Sequence, residues 1–215
     1  MENKQIIDNA KKHNEIYINN YNKKISFYNF IKRSIDMMIS LIGIIILLPI
    51  FLITAILIKI ESKGSIIFKQ IRIGKNSKPF YIYKFRSMKT ETPNMATNDM
   101  TDPNMYVTKI GKIIRKTSID ELPQLINILK GDMSIVGPRP VIEKEEDLVN
   151  LRAKENVDSI LPGITGWAQI NGRDNLDVEE KVKYDKEYLM RRSVGFDFYI
   201  MFMTGLKVIK RDDIR

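Results

Sequence analysis

Residues 37–58 read MMISLIGIIILLPIFLITAILI, an apolar run without a single charge, held between Asp36 and Lys59. A stretch of about 20 apolar residues is the length a helix needs to cross the hydrocarbon of a bilayer. A buried helix of a soluble protein would normally carry a polar face, and this run has none. Pro49 stands near its centre, where it removes a backbone donor and favours a kink or a break. Lys32 and Arg33 precede the run, and Lys59 and Lys63 follow it. Basic residues collect on the cytoplasmic side of membrane segments, so this double flank favours both ends on that side. Two geometries satisfy these residues: a kinked spanning helix, or a helix that enters, bends at Pro49 and returns. The run begins too far from Met1 for a secretory signal and lacks a small-residue cleavage site, so it is expected to be retained.

Working outward, residues 1–25 are polar and mixed in charge, as in a loose tail or a surface helix. Beyond Lys63 the pattern shortens. Residues 65–70 and 80–85 alternate as strands do, joined by a turn-like Gly74-Lys75-Asn76. Residues 90–108 are polar and rich in Thr, Asn, Asp and Met, and read as a long loop. Helical patterns follow at about 109–116, 122–130, 142–156 and 176–192. Residues 198–206 are apolar between Asp197 and the basic Lys207, Lys210 and Arg211. They suit a helix in the membrane interface or in the core. The expected fold is α/β, mostly helical with small sheet or hairpin elements. Its parts are a polar tail (1–25), a membrane-inserted helix (26–62) and a compact domain (63–215).

The 215 residues suffice for one domain with a real core. The formal net charge of +9 calls for an anionic partner: nucleic acid, an acidic membrane surface or a phosphorylated substrate. With no cysteine, disulfides and thiolate metal sites are excluded. The lone histidine, His13, sits among Asn and Lys and is expected to be solvated; one His gives too few ligands for a usual zinc site.

Four patches carry candidate chemistry. In Arg115-Lys-Thr-Ser-Ile-Asp-Glu-Leu-Pro-Gln-Leu, Pro123 is tolerated only in the first turn of a helix, which should start between Ser118 and Leu122. Asp120 and Glu121 then lie at its N-terminus, where the helix dipole keeps carboxylates ionised. That suits a nucleophile attacking phosphorus or a ligand for Mg2+. Ser118 and Glu121 also have the spacing of a capping box, a purely structural alternative. In Gly131-Asp-Met-Ser-Ile-Val-Gly-Pro-Arg-Pro, Pro140 pushes Arg139 towards an extended, stiff backbone, suited to binding phosphate. A surface arginine between turn prolines is the plainer reading. In Pro162-Gly-Ile-Thr-Gly-Trp-Ala-Gln-Ile-Asn-Gly-Arg, the glycines allow close approach to a ligand, or simply form a hairpin. Gln169, Asn171 and Arg173 are candidates for a nucleotide base, ribose or pyrophosphate. Lys84-Phe-Arg-Ser-Met ends a strand with two cations, Lys84 and Arg86, which contact phosphate or are merely solvated.

Together and in this order, the apolar helix with its proline, FKQIRIG, KFRSM, SIDELPQL, GDMSIVGPRP and PGITGWAQINGR make a specific pattern. From about Phe30 onward the chain resembles the bacterial sugar transferases, the monotopic polyprenyl-phosphate phosphoglycosyl transferases, in their small form. It departs at Leu48-Pro49, where the best-described small members carry Ser before the proline. The resemblance implies a phosphoglycosyl transferase at the cytoplasmic face of the bacterial cell membrane, held by a re-entrant helix broken near Pro49 and by interfacial amphipathic helices. Asp120 would attack the β-phosphate of a UDP-sugar, releasing UMP. A polyprenyl (undecaprenyl) phosphate would then take the phosphosugar. Glu121, with Asp120, would hold Mg2+, while Arg139 would bind phosphate. Arg115, Lys84 and Arg86 join the expected substrate ligands.

The basic charge suits such a substrate and anionic membrane lipids alike. Acidic residues are interleaved throughout, so no nucleic acid is expected as partner. The rival class is a membrane-anchored basic binding or scaffold module without catalysis. It leaves the Asp-Glu pair and the Gly and Pro motifs without a purpose. The sugar, the polymer it enters, and the choice between monomer and homodimer are left open.

Overall fold

The computed structural model describes the backbone of residues 2–90, 92, 105–172 and 175–210, and the side chains of those between 24 and 208. Arg173 and most of the 90–108 stretch lie outside the described residues, as does the His13 side chain. The first element is helix α1 (Glu2–Glu61). Within it, Lys24–Glu61 is long and apolar enough to cross a membrane. The helix continues through Pro49, so the expected break is not seen as an interruption. Proline removes only its own N–H, and the flanking turns can carry the helix past it.

By internal contacts the chain divides into Met1–Ile35 and Asp36–Arg215. The first is helical, and Ser34 Oγ donates to the Phe30 carbonyl one turn back at 3.1 Å. Phe27 and Phe30 are exposed on it.

In the second unit, α1 presents one narrow buried stripe: Asp36, Ser40, Thr54 and Ile58, with Phe51 and Ala55 half-buried between them. At one end Asp36 accepts from Ser134 Oγ at 2.7 Å and from the Ile135 N–H at 3.3 Å. Gly43 lies so close to Leu125 that an added Cβ would stand 3.3 Å from Cδ1. At the other end Phe51 packs edge-on against Phe85 with centroids 5.4 Å apart. Ile58 is buried there with Phe85 and Ile114. The other faces, including Ile45, Ile46, Leu52, Ile53 and Ile56, are exposed. So broad an apolar surface marks contact with a membrane or a partner.

Strands β1 (Ile67–Ile73) and β2 (Pro79–Phe85) form an antiparallel pair, Ile67 opposite Phe85 and Ile73 opposite Pro79. The turn between them places Asn76 and Ser77 at positive φ, and a Cβ added to Gly74 would stand 2.9 Å from the Phe80 ring. Helix α2 (Lys109–Lys116) starts under a double cap. Thr108 Oγ1 accepts from the Gly111 N–H at 2.9 Å, and the Glu61 carboxylate accepts from the N–H groups of Lys109 and Ile110 at 2.6 and 3.0 Å. The end of α1 thus satisfies the free donors at the start of α2.

Helix α3 (Gln124–Lys130) ends at Gly131, whose φ of 90° suits glycine and closes the last turn. Buried Asn127 ties α3 to the hairpin: its Nδ2 donates to the Tyr81 carbonyl at 2.7 Å and its Oδ1 accepts from the Tyr83 N–H at 3.0 Å. One side chain thereby acts as an extra strand along the edge of β2. Strand β3 (Ser134–Val136), helix α4 (Glu146–Lys154), strand β4 (Gly163–Thr165), the short α5 (Trp167–Ile170), α6 (Val178–Arg191) and α7 (Val194–Lys210) complete the domain. Strands β3 and β4 pair in parallel, Ser134 with Gly163 and Val136 with Thr165. Asp177 and Glu180 form a capping box on α6. Tyr188 of α6 is buried with Val136, Ile170 and Ile200, and its hydroxyl donates to Asp197 at 2.7 Å. On α7, Ile200 faces this core while Phe198, Tyr199 and Phe202 are exposed.

Candidate active site

Helix α2 gives out at Thr117, and Ser118 takes a left-handed conformation with φ 55°. A single 3-10 turn, Ile119–Glu121, follows before Leu122 and Pro123 lead into α3. The Asp-Glu pair therefore sits in a turn feeding the helix rather than in its first turn. The capping-box alternative does not hold, because Ser118 makes no side-chain cap and Glu121 turns elsewhere. Its Oε1 meets Lys84 Nζ at 2.7 Å, with both side chains largely buried. Ile119 packs with Ile114, Phe85 and Ile58, which pins the turn to the end of α1.

Asp120 is largely withdrawn from solvent. Burial pushes its carboxyl up from the ordinary 3.8 to about 6, opposed by the Lys84 charge, assisted by the Glu121 charge and opposed again by Arg115. Four expected residues are thus brought together: Asp120, Glu121, Lys84 and Arg115. Among the described residues no group of three or more metal-ligating side chains forms.

Arg139 is positioned through its backbone. Its carbonyl accepts from Arg152 Nη1 at 2.8 Å. Arg152, on α4, is itself buried and donates through Nε and Nη2 to Asp185 Oδ2 of α6 at 3.0 and 2.6 Å. A buried ion pair between two helices therefore holds the Pro-Arg-Pro segment. Among the described residues nothing is hydrogen-bonded to the Arg139 guanidinium, which leaves its fork of donors available to a ligand.

The other expected ligands are engaged with the fold. Arg86 is buried at the end of α1, donating to the Lys63 carbonyl and to Ser62 O and Oγ, each at 2.8 Å. To reach a substrate it would have to give up all three. Gln169 Nε2 donates to the Ile164 carbonyl and Asn171 Nδ2 to the Trp167 carbonyl, both at 2.8 Å. The motif glycines serve close approach, but to the chain itself. A Cβ on Gly163 would lie 2.2 Å from the Gly137 nitrogen, and the two segments join through Gly137 N–H to Thr165 O at 2.9 Å and Gly163 N–H to Pro138 O at 2.8 Å.

Sequence reasoning missed Arg72, in β1, and the Arg152–Asp185 pair. Burial lowers the pKa of Arg72, and the neighbouring Arg139 lowers it further, while Glu145 and Glu121 raise it. Its place in FKQIRIG could have singled it out, but a cation in an alternating strand looks the same when merely solvated.

An apolar helix long enough to cross a membrane packs on a small domain, beside a carboxylate pair framed by Lys84 and Arg115. Residues 27–211 match the pattern described as bacterial sugar transferase. The chain is 40% identical over 195 residues to the UDP-glucose:undecaprenyl-phosphate glucose-1-phosphate transferase of Escherichia coli K12, covering 87% of this chain and 42% of that protein. It is 40% identical over 184 residues to the UDP-N-acetylgalactosamine-undecaprenyl-phosphate N-acetylgalactosaminephosphotransferase of Aeromonas hydrophila, covering 82% and 43%. With the exopolysaccharide production protein ExoY of Sinorhizobium fredii it shares 38% over 188 residues, 80% of this chain and 83% of that one. The chain belongs to the bacterial sugar transferase family. It spans less than half the length of the first two relatives.

Proposed function

We propose that this chain transfers a sugar-1-phosphate from a UDP-sugar to a polyprenyl phosphate, undecaprenyl phosphate in a bacterial cell membrane, as a first membrane step of polysaccharide or glycoconjugate synthesis. The observation that carries the reading is Asp120, half-shielded in its turn between Lys84 and Arg115. In the first step an Asp120 carboxylate oxygen attacks the sugar-bearing phosphorus. The bond from that phosphorus to the bridging oxygen breaks, and UMP leaves with the electron pair. In the second step the terminal oxygen of the lipid phosphate attacks the same phosphorus, freeing the Asp120 carboxylate and giving a polyprenyl diphosphate sugar. Atoms and charge balance without a redox partner. Lys84 and Arg115 lower the repulsion between carboxylate and diphosphate, and Arg139 orients a phosphate through its free fork.

Two adjacent carboxylates with no third ligand among the described residues fit Mg2+ of the kind shared between protein and substrate phosphates, rather than a site built wholly from protein. The mutual repulsion of Asp120 and Glu121 is what such a cation would relieve. When bound, Mg2+ would neutralise charge on the diphosphate.

The apolar segment is proposed to enter and leave by the cytoplasmic face. Support comes from its two docked ends, Asp36 on β3 and Ile58 on β2 and α2, which both rest on one domain. A helix carrying the same domain at both ends is poorly placed to cross the bilayer between them.

The test is UMP release from a panel of UDP-sugars by the detergent-solubilised chain with Mg2+, followed by peptide mapping of a trapped phosphosugar adduct. Asp120→Asn should abolish both while melting at the unchanged temperature. Substantial turnover in that variant, or an adduct on another peptide, would sink the assignment.

A further inference from the structure

Arg72 and Arg139 come from segments far apart in sequence, and the fold brings those two segments together. The Ile73 N–H donates to the Val141 carbonyl at 2.8 Å, an antiparallel bridge that lashes the end of β1 to the Pro-Arg-Pro segment. Two partly buried guanidiniums, neither of which can deprotonate, thus lie within electrostatic reach of each other. Their mutual repulsion shows in the Arg72 side chain, whose affinity for its proton falls under burial and the Arg139 charge. Among the described residues neither forms an ion pair with a carboxylate. The hydrogen bond Arg72 does make, from Nη2 to Gln70 Oε1 at 2.7 Å, is to a neutral amide. Its Nε is buried with no acceptor among the described residues. Buried donors are ordinarily satisfied, so an orphaned guanidinium nitrogen within reach of a second guanidinium suits an anionic ligand.

We infer that Arg72 and Arg139 form a two-guanidinium clamp on one phosphate group of a substrate, with Gln70 steering the Arg72 fork. Planar forks approaching a tetrahedral anion from two sides suit a phosphate better than point charges would. Glu145 and, more weakly, Glu121 raise the Arg72 pKa, which sets the clamp within electrostatic reach of the Asp-Glu turn. The clamped group is either the diphosphate of the sugar nucleotide or the terminal phosphate of the lipid acceptor. The inference rests on the transfer reaction proposed above, and its test separates the two.

Arg72→Lys and Arg72→Gln are made in the full chain, and melting temperature and kinetics are read in detergent. UMP release without acceptor isolates the donor step; transfer to polyprenyl phosphate reads the acceptor. Arg72→Lys should raise the KM for one of these substrates about tenfold or more at an unchanged melting temperature. If the donor step needs more UDP-sugar, the clamp holds the diphosphate. If the UMP burst is intact and transfer needs more lipid, it holds the acceptor phosphate. A readout independent of turnover is inorganic phosphate, which should raise the melting temperature of the wild type and not of Arg72→Gln. A wild type that responds to phosphate but releases no UMP would sink the transfer reading and leave the clamp standing. Both KM values within twofold of wild type in both variants would overturn the clamp. So would a failure of both variants to fold, since Arg72 would then serve the structure.

Discussion

Asp120 shares its turn with a second carboxylate, and that neighbour helps to set when it can act. Burial above all pushes the carboxyl from 3.8 up to about 6, so the ionised form, the proposed nucleophile, grows as pH rises through 6. UMP release should climb over that range and level off above about pH 7, one unit beyond the midpoint. Lys84 pulls the value down, so Lys84→Met should move the acidic limb to higher pH. Glu121 pushes it up, so Glu121→Gln should move the limb to lower pH even as the plateau falls. Single-turnover rates between pH 5 and 8 check both signs, and limbs that shift together would refute the assignment. At this scale the sequence was most informative where residues are close along the chain or end a motif. That Asp120, Glu121, Arg115 and Lys84 belong together was legible, and the structure places them together. The contacts of Arg86 were not: it bonds Ser62 and Lys63 just past the end of α1, and nothing in KFRSM says that the fold turns back upon them.

Among the elements, the Arg152–Asp185 pair carries weight because it is buried and because its third donor reaches the Arg139 carbonyl. Asp185→Asn would leave a guanidinium uncompensated between α4 and α6. The expected loss is about 3–5 kcal/mol, read by denaturant unfolding in detergent. Asp185→Leu together with Arg152→Met should recover most of that stability, yet leave the Pro-Arg-Pro segment without its donor and the KM raised. Recovery of both would mean that the pair serves packing alone. The helices around it were legible from pattern, α2 to its observed limits of Lys109–Lys116, because a cap and an amphipathic period coincide there. Strand β1 runs to Ile73, beyond the alternation read at 65–70, since pairing with β2 and Val141 extends it. Strands β3 and β4 were not legible at all. Three residues each hold no period, and their parallel pairing is decided by the close approach of Gly137 and Gly163.

For the molecule as a whole, the question is which side of the bilayer each end of the apolar segment meets. The native chain has no cysteine, so single cysteines report cleanly. Asn9→Cys and Lys78→Cys should both be shielded from an impermeant thiol reagent in intact cells and both react after permeabilisation. Labelling of Asn9→Cys from outside would show that the segment spans. The docking contact at Asp36 bears on how that orientation arises in time. Its partner Ser134 lies 98 residues further along the chain. At about 5–20 residues per second, a ribosome needs about 5–20 s to make that interval. On the proposed membrane placement, the apolar run would meet the bilayer while the domain that grips it is still unmade. Its first orientation would then be chosen by the flanking Lys32, Arg33, Lys59 and Lys63, and the later grip could only ratify that choice.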